Sequence, residues 1–305
     1  MDLKSFLKKE NHYLFYGITP PKASTAEDKV YEVAAKQIQR LTTLQPDGLI
    51  LYDVQDEASR IAAPRPFPYQ SSIAPEVYRF QYLKELLLPT ILYKSVGQFT
   101  NDSFKEWIQQ YDGYPHAKVL VGAPSTTQQT QLSLTDAYQL YQSNTNNSLV
   151  GGIAIPERHH KKRDEHLRLQ TKKSLGCQFF VTQCVYDVNA AKNVLSDYYY
   201  NLQTTEEAPV PIIFTLTPCG SVKTLEFMEW LGIHIPVWLR NDMLHAEDVL
   251  KLSVRVCIQI AKELAQYCNA KNIPFGFNIE SVAIRKEEIE ASIDLAQEIK
   301  KILAS

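Results

Sequence analysis

The chain has 305 residues, 45% of them apolar, enough to bury a large core as one α/β domain or two smaller ones. A formal net charge of -2 excludes the clustered positive field that a nucleic-acid backbone requires. The cysteines (Cys177, Cys184, Cys219, Cys257, Cys268) form no CxxC pair, so free thiols in a reduced compartment are expected rather than a zinc ribbon or a disulfide framework.

The opening segment, MDLKSFLKKENH, is too polar for a signal peptide, and no apolar run is long enough to span a bilayer. A cytoplasmic protein without membrane contact is the expectation. From there, short apolar runs alternate with longer amphipathic stretches. The first run is Tyr13–Ile18, followed by a helical pattern over Ala26–Leu44. Ser24 and Thr25 precede that helix, and Glu27 and Asp28 sit in its first turn, where carboxylates favour the positive end of the dipole. The second run, Gly48–Tyr52, ends in an acidic cluster of Asp53, Asp56 and Glu57. Acids crowded at one rim repel, which raises at least one pKa and suits a general acid; an exposed helix N-terminus is the plainer reading. Proline-rich Arg60–Ser72 reads as a long loop.

A helix over Pro75–Leu87 leads to a strand over Thr90–Lys94, and Ser103–Tyr111 leads to Lys118–Gly122. Leu134–Gln142 is helical, and the next strand, Val150–Ile155, is stopped by Pro156. Glu157, Arg158, His159 and His160 follow. His159 suits a planar cofactor or an anionic tail, whereas the run HHKKRDEH also reads as a solvated helix start. His159, His160 and His166 match no known ligand spacing, so no metal site is expected. The helix Lys161–Leu175 carries Arg168 and Lys172 one turn apart, either cations for dinucleotide phosphates or a basic surface stripe. Strand Gln178–Gln183 delivers Thr182 and Gln183 at its end, with Asp187 placed to cap the helix Val188–Tyr199. Strand Pro211–Leu216, helix Val222–Leu231 capped by Ser221, helix Ala246–Ala270, strand Pro274–Ile279 and helix Lys286–Leu303 complete the chain. Tyr198-Tyr199-Tyr200 reads as a self-association surface, which would make a homo-oligomer, or as a half-buried helix end.

Strand–helix repeats with no break in composition predict a single (β/α)8 TIM barrel spanning 1–305 as one domain. A doubly wound sheet is the rival, but no GxGxxG or GxxxxGK[ST] follows any strand. In such a barrel, ligands bind at the C-terminal ends of the strands. Gln183 can donate and accept together there, as a flat heterocycle with an amide edge requires. Lys94, Asn278 and Glu280 end other strands at the same mouth, or make packed ion pairs instead.

These segments resemble the methylenetetrahydrofolate reductase family, the flavin-dependent barrels of one-carbon metabolism. Ala154-Ile155-Pro156-Glu157-Arg158-His159 is similar to the family's AYPE.H, Leu169–Gly176 to its L..K...G helix, and Gly176–Asp187 to its GA...ITQ.FFD. Phe214–Pro218 stands where the family has PGI.P, Ile235-Pro236-Val237-Trp238 resembles IP.W, and Tyr16–Pro21 resembles FEFFPP. The resemblance implies that Gln183, with Thr182 in register, meets the pterin of a folate. It also implies that His159 and Lys172 contact FAD, with Ile155 in place of a tyrosine beside it. Departures accompany it. The family's first-strand glutamate is Gly17, its RGD-loop aspartate is Ala123, its strand-two threonine is Leu51, and its strand-three histidine falls near Lys94. The activity so implied is reduction of 5,10-methylenetetrahydrofolate to 5-methyltetrahydrofolate with NAD(P)H, through FAD, with Asp53, Asp56 or Glu57 replacing the lost acid. A flavin-free folate enzyme and a non-catalytic folate- or partner-binding barrel are the alternatives.

Overall fold

A computed structural model describes residues 12–54, 64–111, 117–122, 130–145 and 148–304. Parallel strands close into a barrel in the order β1 (Tyr13–Ile18), β2 (Gly48–Leu51), β3 (Thr90–Ser95), β4 (Ala117–Val121), β5 (Val150–Ala154), β6 (Phe180–Cys184), β7 (Ile212–Leu216) and β8 (Phe275–Glu280), with β8 pairing back onto β1. Two-residue alternation divides each strand between two cores. Tyr13, Phe15, Ile50, Ile91, Tyr93, Val119, Phe179, Val181 and Ile213 fill the barrel. Leu14, Leu49, Leu92, Leu120, Val150, Phe180, Phe214 and Phe277 face the helices. Gly151 makes room inside: a Cβ there would lie 2.5 Å from the Phe179 ring. The (β/α)8 expectation therefore holds.

The helical layer is α1 (Glu27–Leu44), α2 (Pro75–Val77), α3 (Asn101–Tyr111), α4 (Leu134–Asn144), α5 (Pro156–Lys162), α6 (Glu165–Ser174), α7 (Val188–Thr204), α8 (Val222–Trp230), α9 (Val237–His245), α10 (Val249–Lys271) and α11 (Lys286–Leu303). Asp187 caps α7, its Oδ1 accepting from the N–H groups of Asn189 and Ala190 at 3.1 and 3.0 Å. Ser221 caps α8 through the Thr224 N–H at 3.1 Å. The residue flanking α1 is Ala26, which offers no side-chain cap, so Ser24 and Thr25 do not play that role.

Three helical expectations change. Pro75–Leu87 is not one α-helix: α2 passes into a π-turn over Tyr78–Tyr82. Arg79 then donates to the carbonyls of Leu83 and Leu86 at 2.8 Å each, satisfying backbone that a continued helix would have paired. The helix expected over Lys161–Leu175 starts earlier, at Pro156, and breaks at Arg163, whose φ of 51° is left-handed. Helix α9 is missing from the sequence reading. It buries only Leu239 and Met243 and exposes Val237 and Trp238, so it has no amphipathic stripe to detect.

Helices α8 and α9 are extra. They stand between β7 and α10, the 23-residue helix that leads to β8. The Gln183 Nε2 of β6 donates to the Leu231 carbonyl at the end of α8, 3.1 Å away, which ties this insertion to the strand ends. All five cysteines are buried free thiols. Tyr198 is buried, and its hydroxyl accepts from the Val210 N–H. Lys271 lies over the rings of Tyr199 and Tyr200, and Tyr200 stays exposed. Among the described residues, no helix is long and apolar enough to cross a membrane.

Candidate functional site

The strand ends of β8, β1 and β2 build one connected polar cluster. Gly17 of β1 pairs directly with Glu280 of β8. A Cβ on Gly17 would meet the Tyr52 ring at 2.9 Å, Asn278 Oδ1 at 3.1 Å and Glu280 Cβ at 3.1 Å. The position that carries the acid in the resembling family is thus surrounded by the chain's own carboxyl, amide and phenol. Glycine here is the residue that lets them approach.

Alternation aims these groups inward. Tyr52 follows Ile50 in phase on β2, and Tyr93 follows Ile91 on β3; their rings meet edge-on, with centroids 4.8 Å apart. Asn278 Nδ2 donates to the Tyr52 hydroxyl at 2.7 Å and to Thr215 Oγ1 at 3.3 Å. The Tyr52 hydroxyl stands near enough to the Glu280 carboxyl to draw its pKa down. The Cys184 thiol donates to Glu280 Oε1 at 3.1 Å. Cys184 reaches it because the β6–β7 register shifts between Val181 and Cys184, which re-aims the end of β6. Thr182 Oγ1 fills the resulting gap by accepting the Thr215 N–H at 3.0 Å.

Burial sets the chemistry of this cluster. It raises the Glu280 carboxyl above the ordinary glutamate range, against the pull of the Tyr52 and Cys184 hydrogen bonds. The phenols of Tyr52 and Tyr93 and the Cys184 thiol are pushed well up for the same reason, so all three stay protonated. The cluster is a proton-rich donor set around one carboxyl. Asn278 Oδ1 and, at the end of β3, Ser95 Oγ are buried without a hydrogen-bond partner among the described residues. The Arg65 guanidinium lies over Tyr69, Phe227 and Trp230 at 5.1 to 5.4 Å, its Nε and Nη1 likewise buried and without a partner among those residues.

The remaining expected site residues lie elsewhere. Asp53 Oδ2 accepts the Ser95 N–H at 2.8 Å, bridging the ends of β2 and β3, and burial raises its pKa. Asp56, Glu57 and Ala123 fall outside the described residues. Lys94 points out of the barrel, pairs with Glu76 at 2.6 Å and lies over the Phe99 and Trp107 rings. Lys172 donates to the Ile153 carbonyl from the outer face of β5, where its stem packs on Gly152. Arg168 pairs with Asp164 on the surface at 3.4 Å. Ile155 flanks α5, its N–H bonded to Glu165 Oε1 at 2.8 Å. His159 is buried in the helical layer, bonded to Asp197 of α7 at 2.9 Å.

The structure therefore brings Asn278 and Glu280 together inside the mouth and disperses the rest around it. Tyr52 and Cys184 are members that sequence reading missed. The in-phase step from Ile50 to Tyr52 was a usable signal. The bulge that turns Cys184 inward leaves no trace in the pattern of residues.

No protein-family model and no curated protein matches this chain. Among solved structures, an uncharacterized protein from Clostridium thermocellum that binds two copies of 5-methyl-5,6,7,8-tetrahydrofolic acid is 47% identical, covering 98% of this chain and 99% of its own, with a TM-score of 0.87. Dihydropteroate synthase from Xanthomonas albilineans with 4-aminobenzoic acid is 11% identical, covering 98% of this chain and 96% of its own, at a TM-score of 0.48. The same enzyme with 7,8-dihydropteroate is 10% identical over the same shares, at a TM-score of 0.44. With 47% identity over nearly the full length of both chains, this protein belongs to the family of the Clostridium thermocellum protein.

Proposed function

We propose that the mouth of this barrel binds a reduced folate and that the chain is a methylenetetrahydrofolate reductase-like oxidoreductase with Glu280 as its acid. The observation that carries this reading is the pairing of Gly17 with Glu280: the carboxyl missing from β1 is supplied by the next strand of the closed barrel. The Clostridium thermocellum relative, which binds 5-methyltetrahydrofolate, supports the ligand class. Asn278 Oδ1 and Ser95 Oγ offer unpaired polar atoms of the kind a pterin's donor-rich edge satisfies. Gln183, at the same rim, is assigned to that edge through its Oε1, since its Nε2 donates to the Leu231 carbonyl.

The proposed chemistry needs one proton and one hydride. Reduction to a 5-methyl product breaks the bond between the bridging carbon and N10. Glu280, whose carboxyl burial pushes toward the protonated form, gives its proton to the departing nitrogen. The carbon, left as an iminium on N5, accepts hydride and becomes the methyl group. Tyr52 and Cys184 then stabilise the carboxylate by hydrogen bonds until solvent returns the proton.

The residues expected to hold a cofactor, His159 and Lys172 by the resemblance and Arg168 and Lys94 beside them, do not fit FAD as they stand. His159 is bonded to Asp197, Lys172 to the Ile153 carbonyl, Lys94 to Glu76 and Arg168 to Asp164. NAD(P)H is assigned as the direct hydride source.

The test is calorimetric titration with 5-methyltetrahydrofolate together with NAD(P)H oxidation in the presence of 5,10-methylenetetrahydrofolate. Binding and folate-dependent oxidation are expected from colourless protein. Failure to bind either folate overturns the site. Binding without turnover overturns the reductase activity, and flavin bands in the purified protein overturn the direct hydride route.

A further inference from the structure

We propose that His159, His166 and Asp197 form a binding site for a divalent first-row transition ion, zinc foremost, in the helical layer outside the barrel. The proposal is independent of the folate reading.

The geometry begins with the break in the chain at Arg163. His159 and His166 are seven residues apart, which in one continuous helix would separate them by about 10.5 Å along the axis. The left-handed Arg163 instead ends α5 and redirects α6. The two imidazole rings consequently meet edge-on, with centroids 5.4 Å apart. Asp197 arrives from α7, and its Oδ2 lies 2.9 Å from His159 Nε2. One ligand atom from each of the three residues lies within 4.8 Å of the others. Around a tetrahedral zinc with bonds of about 2.0–2.1 Å, ligand atoms stand roughly 3.3 Å apart. Side-chain rotation alone spans that difference.

The state of the histidines points the same way. His159 is 3% exposed, yet its Nδ1 is buried with no hydrogen-bond partner, and His166 Nδ1 is in the same condition. A buried nitrogen left unpaired is costly, so one on each of two neighbouring imidazoles calls for a ligand. A set of imidazoles plus one carboxylate selects zinc and its neighbours over calcium or magnesium, which take oxygen. A cleft of about 190 Å³, lined by His159, Arg163, Asn193, Ser196 and Asp197, reaches the cluster and leaves room for a water or a small ligand on the ion. Arg163 would suit an anion, but an anion there would also meet the Asp197 carboxylate.

The experiment titrates EDTA-treated protein with Co²⁺, read by visible absorption, and with Zn²⁺, read by equilibrium dialysis. Expected are one ion per chain at micromolar affinity or tighter and intense cobalt bands of low coordination number. His166→Gln and Asp197→Asn are each expected to weaken binding by at least about 100-fold. His234→Gln, in the neighbouring group where His160 and His234 share Asp187, is expected to leave it unchanged. Long-range ¹H–¹⁵N imidazole spectra of the unaltered protein, expected to show zinc-dependent shifts at two histidines, give a reading that does not depend on variants folding. The proposal is overturned by absence of binding, by retention of full affinity in the His166 and Asp197 variants, by loss of binding in His234→Gln, or by tighter binding of inorganic phosphate than of either metal.

Discussion

The rim of the barrel has two sides, and they treat polar residues in opposite ways. Where β8, β1 and β2 meet, Glu280, Asn278 and Tyr52 point inward, Asn278 bonded to Tyr52 and Glu280 to Cys184. Around β3, β5 and β6, Lys94, Lys172 and His159 are committed to the helical layer, where each is paired. Both sides follow one rule, alternation along a strand, which sends neighbouring residues to opposite faces. Lys94 lies next to Tyr93, yet Tyr93 lines the barrel and Lys94 an ion pair beneath α2 and α3. A polar residue at a strand end is therefore a site candidate only when its phase is inward.

Substitutions can break or sharpen this contrast. Glu280→Gln is expected to have the largest effect: loss of about 10²–10⁴-fold in folate-dependent NAD(P)H oxidation, with 5-methyltetrahydrofolate affinity retained, as steady-state kinetics beside calorimetry would show. Unchanged turnover would return the acid's role to the β2 rim. On the outward side, Lys94→Met leaves Glu76, which is 4% exposed, with the Trp107 N–H as its one side-chain partner among the described residues. It is expected to cost about 3–5 kcal/mol in urea unfolding without weakening folate binding in the folded fraction.

Glu157, in the first turn of α5, gives a smaller and pH-dependent effect. Burial, with Asp187 and Glu165 nearby, pushes its carboxyl up to about 7. The folded protein then holds a proton that the unfolded chain releases near the ordinary glutamate value. The stability so linked is fully present below that value and is lost as pH rises toward about 7. Glu157→Gln should flatten the pH profile over this window by about 1–3 kcal/mol, measured by unfolding at successive pH values. The smallest effect belongs to Arg168→Gln. Its surface pair with Asp164 should be worth less than about 0.5 kcal/mol and should leave both folate binding and activity in place.

Much of the architecture was legible. Apolar runs bounded by proline, glycine and capping residues placed every strand to within about two residues, because strand burial leaves a mark on each residue in turn. The failures had local causes that pattern does not encode. Arg79 replaced helical hydrogen bonds with side-chain ones, Arg163 adopted a left-handed conformation without glycine, and α9 buried too little to show a stripe.

The site divides along the same line. Sequence alone determined that Asn278 and Glu280 end a strand and that a glycine stands at position 17, since identity and strand membership are properties of the linear chain. Only the tertiary structure decided that Gly17 and Glu280 are neighbours, because β1 and β8 lie at opposite ends of the sequence and meet when the barrel closes. It also decided that Asp197 stands beside His159 and His166, since a helix packed from later in the chain supplies a ligand that no spacing rule can anticipate.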